Sequence, residues 1–244
     1  MKSIHERTEK LIGKENLVTL KNCSVIVFGL GGVGGYVVEA LARTGVGRIG
    51  VVDHDIVDAT NINRQIIALR STVGKYKAEL IKDRVADINE EIEVIAFKEK
   101  LTAANTGDYF LCHYDYIVDA IDDVAAKIVL MERAKALGIP VISSMGTGNK
   151  VDPTRFKISD ISKTHTCPLA KKVRREASER GLIGVKVLFS DEKPGKYGDT
   201  AGPPASIAFV PATAGFLIAA EVIHDLLRSA KNGRKDLYTD NQQE

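Results

Sequence analysis

Gly29-Leu30-Gly31-Gly32-Val33-Gly34 follows a short apolar run and leads into an apolar pattern of helical spacing. In that setting the glycines let the backbone pass close to phosphate. The first helical turn adds unpaired N–H groups at the positive end of its dipole. Asp53 comes about 20 residues later, closing the next strand-like run, where a carboxylate accepts hydrogen bonds from ribose hydroxyls. Asp55 is the nearby competitor for that role. The pattern predicts a bound nucleotide with a ribose and phosphates. The plain alternative is a glycine turn serving only close helix–strand packing. Taken alone, the loop favours a dinucleotide dehydrogenase.

The residues beyond Asp53 point to different chemistry. Asn61-Ile62-Asn63-Arg64-Gln65 falls in a loop past the second strand, and Arg64 carries a fork of donors suited to phosphate oxygens. Asn61 can bond ribose or phosphate. Gly74-Lys75-Tyr76-Lys77 opens a helix and brings a lysine to the same edge. Hydride transfer has no use for this positive charge. Cleavage of ATP between its α- and β-phosphates does, because the departing pyrophosphate is strongly anionic. Asp119-Ala120-Ile121-Asp122-Asp123 ends the fourth strand, and its carboxylates can hold Mg²⁺ against phosphates. Asp122 or Asp123 can equally cap the helix that follows.

Alternating elements must position these groups. Strands are predicted over Cys23–Phe28, Arg48–Asp53, Glu93–Phe97, Tyr116–Ile121 and Ile139–Ser144. Helices are predicted over Gly34–Thr44, Val73–Asn89 and Asp123–Leu137. This alternation implies an α/β, Rossmann-like doubly wound and mostly parallel sheet. Two further strands, Phe156–Ile161 and Val185–Ser190, flank a charged helix over Leu169–Arg180, extending the sheet with C-terminal strands and helices. Asp191–Pro204 reads as a loop. Ala205–Ile223 is apolar enough to cross a bilayer by length. Pro211 and the small residues instead suggest a buried strand at Ser206–Val210, a turn at Pro211 and a core helix from about Ala212 to Arg228, so no transmembrane span is expected.

Composition agrees with a globular chain. The 244 residues are 44% hydrophobic and 27% charged, with 34 Lys plus Arg against 32 Asp plus Glu for a net charge of +2. That balance excludes binding to nucleic acid through overall charge but leaves room for a local basic patch. The three cysteines, Cys23, Cys112 and Cys167, form no C-x-x-C pair, which argues against a disulfide framework or a four-cysteine zinc site. Met1–Arg7 carries no apolar signal core, so a cytoplasmic location is expected.

Together, Gly29–Gly34, Asp53, Asn61–Gln65, Gly74–Lys77 and Asp119–Asp123 resemble the ubiquitin-activating-enzyme-like (ThiF-type) superfamily across roughly residues 7–150. The resemblance implies one adenylation domain over residues 1–244, with a nucleotide-binding core at 23–150 and a substrate-side extension at 151–244. It implies adenylation of a carboxylate with ATP and Mg²⁺, in a homodimer. It assigns phosphate contacts to Gly31 and Gly32 within the Gly29–Gly34 loop and ribose to Asp53. Asn61, Arg64 and Lys77 would stabilise the triphosphate, and Asp122 would bind the metal. Arg7 is the candidate for an arginine that reaches the neighbouring subunit's ATP.

Asp152-Pro153-Thr154, Asp160–Thr164, Cys167–Lys171 and Ser206–Pro211 look like the branch acting on tRNA, the threonylcarbamoyladenosine dehydratases. That branch activates a threonyl carboxylate beside the anticodon, and the adjacent ureido group closes a ring on it. Lys163, Lys171, Lys172, Arg174, Arg175 and Arg180 against Glu176 and Glu179 give this one segment +4, a candidate grip on tRNA phosphates or simply a solvated helix face. The rival within the superfamily is an adenylyltransferase for the Gly-Gly end of a ubiquitin-like sulfur carrier, with a sulfur-transfer protein as a partner. The missing zinc pairs and the basic segment weigh against it. Arg64 and Lys77 weigh against an NAD-binding redox protein and against a non-catalytic nucleotide binder. Cys167 is placed to form a thioester, but Pro168 as a helix start makes a small capping residue the simpler role, and intramolecular ring closure needs no covalent relay.

Overall fold

A computed structural model describes residues 3–195 and 204–239, with side chains to Lys231. Two short helices, α1 (Glu6–Ile12) and α2 (Lys14–Lys21), precede β1 (Ser24–Phe28), α3 (Gly34–Thr44) and β2 (Arg48–Val52). Next come α4 (Lys77–Ile88), β3 (Glu93–Phe97), β4 (Tyr116–Asp119), α5 (Val124–Leu137) and β5 (Val141–Ser144). The chain closes with β6 (Phe156–Asp160), α6 (Pro168–Glu179), β7 (Lys186–Ser190) and α7 (Phe209–Thr239). The strands form one sheet in the order β3-β2-β1-β4-β5-β7-β6. All neighbours are parallel except β6, which runs antiparallel to β7.

The order decides where a ligand binds. From β1 the chain steps outward to β2 and β3, then returns to lay β4 on the other side of β1. The connections leave in opposite directions at β1 and β4, which opens a crevice at their carboxyl ends. β1 is buried on both faces, as a central strand requires. Val25 and Val27 join the α3, α4 and α7 side of the core, while Ile26 and Phe28 join the side under α5.

The apolar run near the C-terminus departs from expectation. No strand forms over Ser206–Val210, because helix begins at Phe209. Pro211 sits in the first turn of α7, where its missing N–H has no intrahelical partner to lose. Phe209–Lys231 is long and apolar enough to cross a membrane by length and composition. Its inner face is nevertheless in the core: Val210, Ala214, Ile218, Val222 and Leu226 recur every four residues, all buried, against α3 and the sheet. Farther along, Glu221 and Asp225 bind Lys186 of β7 at 2.6 and 2.5 Å, and Asp225 also accepts from Tyr116 Oη at 2.7 Å. Burial raises the Asp225 carboxyl, but Lys186 and Tyr116 outweigh it and hold the group below the ordinary carboxylate range.

A second difference lies before α4, which starts at Lys77 rather than near Val73. Gly74 takes a left-handed φ of 86°, and Ile56 and Tyr76 form a bridge that keeps this segment extended. Of the loop expected at Asp191–Pro204, residues 196–203 lie outside the described residues.

Candidate functional site

The crevice is made by backbone contact. Gly29 adopts φ 85°, and a Cβ there would stand 2.7 Å from the Ala120 carbonyl oxygen beyond β4. A Cβ on Gly34 would fall 1.8 Å from the Gly29 carbonyl oxygen. No side chain is compatible with either position. The loop between β1 and α3 therefore folds tightly, and its Gly31, Gly32 and Val33 line the crevice.

A cavity of about 460 Å³ opens there. Its lining includes Gly29, Gly31, Gly32, Asp53, Asp55, Asn61, Arg64, Lys77 and Asp122, so residues from five separate segments are brought together. Gly34 lies behind the loop as a packing position and is not part of the lining. Arg7 is exposed on α1 and does not line its own chain's cavity.

The side chains are already committed to partners. Asp53 is buried, and its Oδ2 accepts from the Leu30 N–H at 2.6 Å while Oδ1 accepts from the Asp55 N–H at 2.8 Å. It thus ties β2's end to the glycine loop and still faces the cavity. Asp55, the competing ribose ligand, binds Lys77 Nζ at 2.7 Å. Lys77 is buried, and this pairing is its electrostatic compensation. Asn61 Oδ1 accepts from the Asp58 N–H at 3.1 Å, half of a capping box that shapes the loop. Arg64 Nη1 donates to the Thr60 carbonyl at 2.9 Å and to Asn63 Oδ1 at 2.8 Å. Its Nε and Nη2 have no acceptor among the described residues, so the guanidinium is oriented with half of its fork free.

The two aspartates after β4 divide the roles that the sequence left open. Asp123 caps α5, accepting from the Ala126 N–H at 2.8 Å. Asp122 is exposed on the cavity wall and has no partner among the described residues. Beneath them Asp119 is fully buried with Lys127 at 3.0 Å and Ser143 at 2.5 Å, and accepts from the Ile121 N–H at 3.1 Å. This buried pair fixes the loop that carries Asp122. A free carboxylate on the wall of this cavity suits Mg²⁺, whose remaining ligands would come from phosphate and water. Asp53, His54 and Asp55 also place ligand atoms within 4.8 Å of one another. They fit a cation poorly, because the Lys77 ammonium sits on Asp55 and backbone N–H groups occupy Asp53.

Sequence reasoning missed His54, Glu99, Lys100, Thr147, Ser206 and Pro211, all in the lining. Ser206 and Pro211 bound the Ser206–Pro211 run that carries the branch resemblance, without a nucleotide role assigned to it, and His54, Glu99, Lys100 and Thr147 belong to no local motif. Lys100 follows an edge strand, and Pro211 arrives from far along the chain to pack where a Gly32 Cβ would come within 3.1 Å.

A larger concavity, about 1050 Å³, lies along α6 and is lined by Lys171, Lys172, Arg174, Arg175, Leu182 and Ile183, among others. Its basic residues are not equivalent. Arg174 Nη1 is turned inward, donating to the Thr164 carbonyl at 2.5 Å and to Thr164 Oγ1 at 2.8 Å, and so secures the segment before α6. Arg175 pairs with Glu176 at 3.2 Å. Lys163, Lys171 and Lys172 are exposed and make no side-chain hydrogen bond or ion pair among the described residues, though Lys163 lies close enough to Asp160 to add to the Ser162 hydrogen bonds that lower its carboxyl. Lys163 stands in the turn before α6, outside the lining. Cys167, the residue before α6, is only 2% exposed, which leaves no path for a bulky acyl group to its sulfur. Cys112 is exposed and Cys23 half-buried.

Residues 5–242 match the model of the ThiF family. The tRNA threonylcarbamoyladenosine dehydratase of Bacillus subtilis is 50% identical over 238 residues, covering 91% of this chain and 94% of that protein. The Escherichia coli dehydratase solved with ATP superposes with a TM-score of 0.87 at 35% identity, covering 93% of this chain and 94% of the other. A yeast adenylyltransferase and sulfurtransferase, UBA4 of Saccharomyces cerevisiae, is 33% identical over 72% of this chain but only 41% of its own length. With the glycine loop, the Arg64 segment and the Asp119–Asp123 turn converging on one crevice, the chain belongs to the ThiF family and is closely related to its tRNA threonylcarbamoyladenosine dehydratase branch.

Proposed function

We propose that this protein is an ATP-dependent tRNA threonylcarbamoyladenosine dehydratase. The observation that carries the proposal is the half-free Arg64 fork facing the glycine loop in a cavity that also holds Lys77, Lys100 and the unpaired Asp122. The close relation to the B. subtilis protein supports the substrate.

In this reading ATP lies with its ribose at Asp53 and its phosphates over Gly31 and Gly32. The threonyl carboxylate attacks the α-phosphorus, and pyrophosphate leaves. Arg64 and Asn61 stabilise the charge that develops on the departing phosphates. Lys77 adds positive potential from the wall while Asp55 holds it in place. The ureido group then attacks the activated carbonyl carbon, the ring closes and AMP departs. The net change is loss of one water from the nucleoside. Asp122 would hold Mg²⁺, which shields phosphate charge when bound. The buried Cys167 has no part in either step.

The basic surface of α6 supports tRNA as the partner, with Lys163, Lys171 and Lys172 as phosphate contacts. We assign Arg174 to the fold and Arg175 to the rim. Two features support a homodimer. Arg7 is exposed and outside the lining of its own cavity, and Phe209, Phe216 and Leu217 are exposed at the start of α7, beside Pro211 of the cavity wall. Three free cysteines suit a reducing cytoplasm.

The test is a nucleoside digest of tRNA from cells lacking the gene. The open threonylcarbamoyl form should accumulate and disappear on complementation. An unchanged ratio of open to cyclic nucleoside would reject the activity.

A further inference from the structure

Gln65 lines the cavity with a side chain that nothing among the described residues satisfies. The residue is 7% exposed, and its Oε1 is enclosed without a hydrogen-bond partner. Nε2 has no acceptor among the described residues and lies 3.8 Å from where a Cβ on Gly31 would stand. The turn does not require this side chain. The Gln65 N–H donates to the Asn61 carbonyl at 2.9 Å, and its carbonyl accepts from the Ala68 N–H at 3.0 Å. An apolar side chain of similar length would fill the space without stranding a polar group.

We propose that Gln65 is a nucleotide-contacting residue, its amide donating to a non-bridging oxygen of the phosphate attached to the ribose. The proposal rests on reading the cavity as an ATP site. Its geometry follows the loop residue by residue. Asp53, the ribose ligand in that reading, is hydrogen-bonded to Leu30, so the first phosphate falls at the next residue, Gly31. Gln65 stands beside Gly31, and Arg64 stands one place further, its Cγ 3.5 Å from where a Gly32 Cβ would be. The arginine thus serves the phosphates that leave, and the neutral amide serves the phosphate retained through both steps. A neutral donor holds that phosphate without the charge that would slow release of AMP.

The experiment titrates the full-length protein with ATP and, separately, with AMP, for wild type, Gln65→Met and Gln65→Glu, alongside thermal unfolding without nucleotide. Gln65→Met should melt no lower than wild type while losing about 10- to 100-fold in affinity for both nucleotides. Gln65→Glu should weaken both further, because it sets a carboxylate against phosphate. Unchanged affinity in Gln65→Met overturns the proposal. So does a loss for ATP alone, which would place the amide on the departing phosphates. A lowered melting temperature with normal binding, or failure of both variants to fold, would make Gln65 a structural residue. Wild-type protein that binds neither nucleotide would instead defeat the ATP reading of the cavity.

Discussion

The two concavities of this molecule are built in opposite ways. The crevice at β1 and β4 is shaped by main chain: Gly29 and Gly34 pack against carbonyl oxygens, and a buried Asp119–Lys127 pair holds the turn opposite. The groove along α6 is shaped by long side chains on one exposed helix, some bonded to the protein and some free. A rigid frame suits a reaction that needs atoms placed within fractions of an ångström. A charged, adjustable rim suits a polyanion recognised mainly through phosphates. Substitutions should therefore act sharply and singly in the crevice, and gradually and additively along α6.

The largest effect is expected at Gly34. Gly34→Ala forces a methyl onto the Gly29 carbonyl and should cost more than about 3 kcal/mol, read as a collapse of the urea midpoint. A variant of normal stability would mean that the loop is far softer than its contacts imply. Next, Arg64→Ala should lower ATP-dependent turnover by about 10²- to 10³-fold with an unaltered circular dichroism spectrum. Retained turnover would remove Arg64 from the chemistry. Along α6, the triple change of Lys163, Lys171 and Lys172 to Ala should weaken tRNA binding and reduce the slope of log affinity against log salt by about 3. Unchanged slope would put the tRNA surface elsewhere.

A smaller effect concerns Glu39, buried on α3 with Arg43 at 2.7 Å and Arg84 at 2.6 Å. Burial raises its carboxyl, but the two guanidinium groups outweigh it and keep the group below its ordinary value. A carboxyl held low in the folded state contributes stability above its unfolded pKa, and that contribution fades as pH falls through the folded pKa. Stability measured by urea should consequently drop more steeply with acidification below about pH 4.5 in wild type than in Glu39→Gln. Parallel curves would show that the pairing contributes nothing. The smallest effect is Cys167→Ser, which should retain turnover. Complete loss in a folded protein would revive a thioester step.

The same contrast explains what could be seen before the structure. The strands over 24–28 and 48–52 were legible because buried central strands make short apolar runs bounded by turn residues. The glycine loop and the Arg64 segment were legible because close backbone approach and phosphate contact restrict residue type locally. The strand expected at Ser206–Val210 failed because a proline in the first turn of a helix resembles one that ends a strand. α1 and α2 were not foreseen at all. Only one residue type each separates Lys77 bonded to Asp55 from a lysine bonded to phosphate, or Arg174 bonded to Thr164 from a free arginine. Those outcomes depend on partners 22 and 10 residues away and are decided by tertiary placement.

The central claim is that this crevice splits ATP to join AMP to a tRNA-borne carboxylate. Purified protein incubated with ATP, Mg²⁺ and tRNA carrying threonylcarbamoyladenosine should release AMP and pyrophosphate in equal amounts while the nucleoside loses one water. Absence of AMP in that mixture, with tight binding of NADH in its place, would contradict the account.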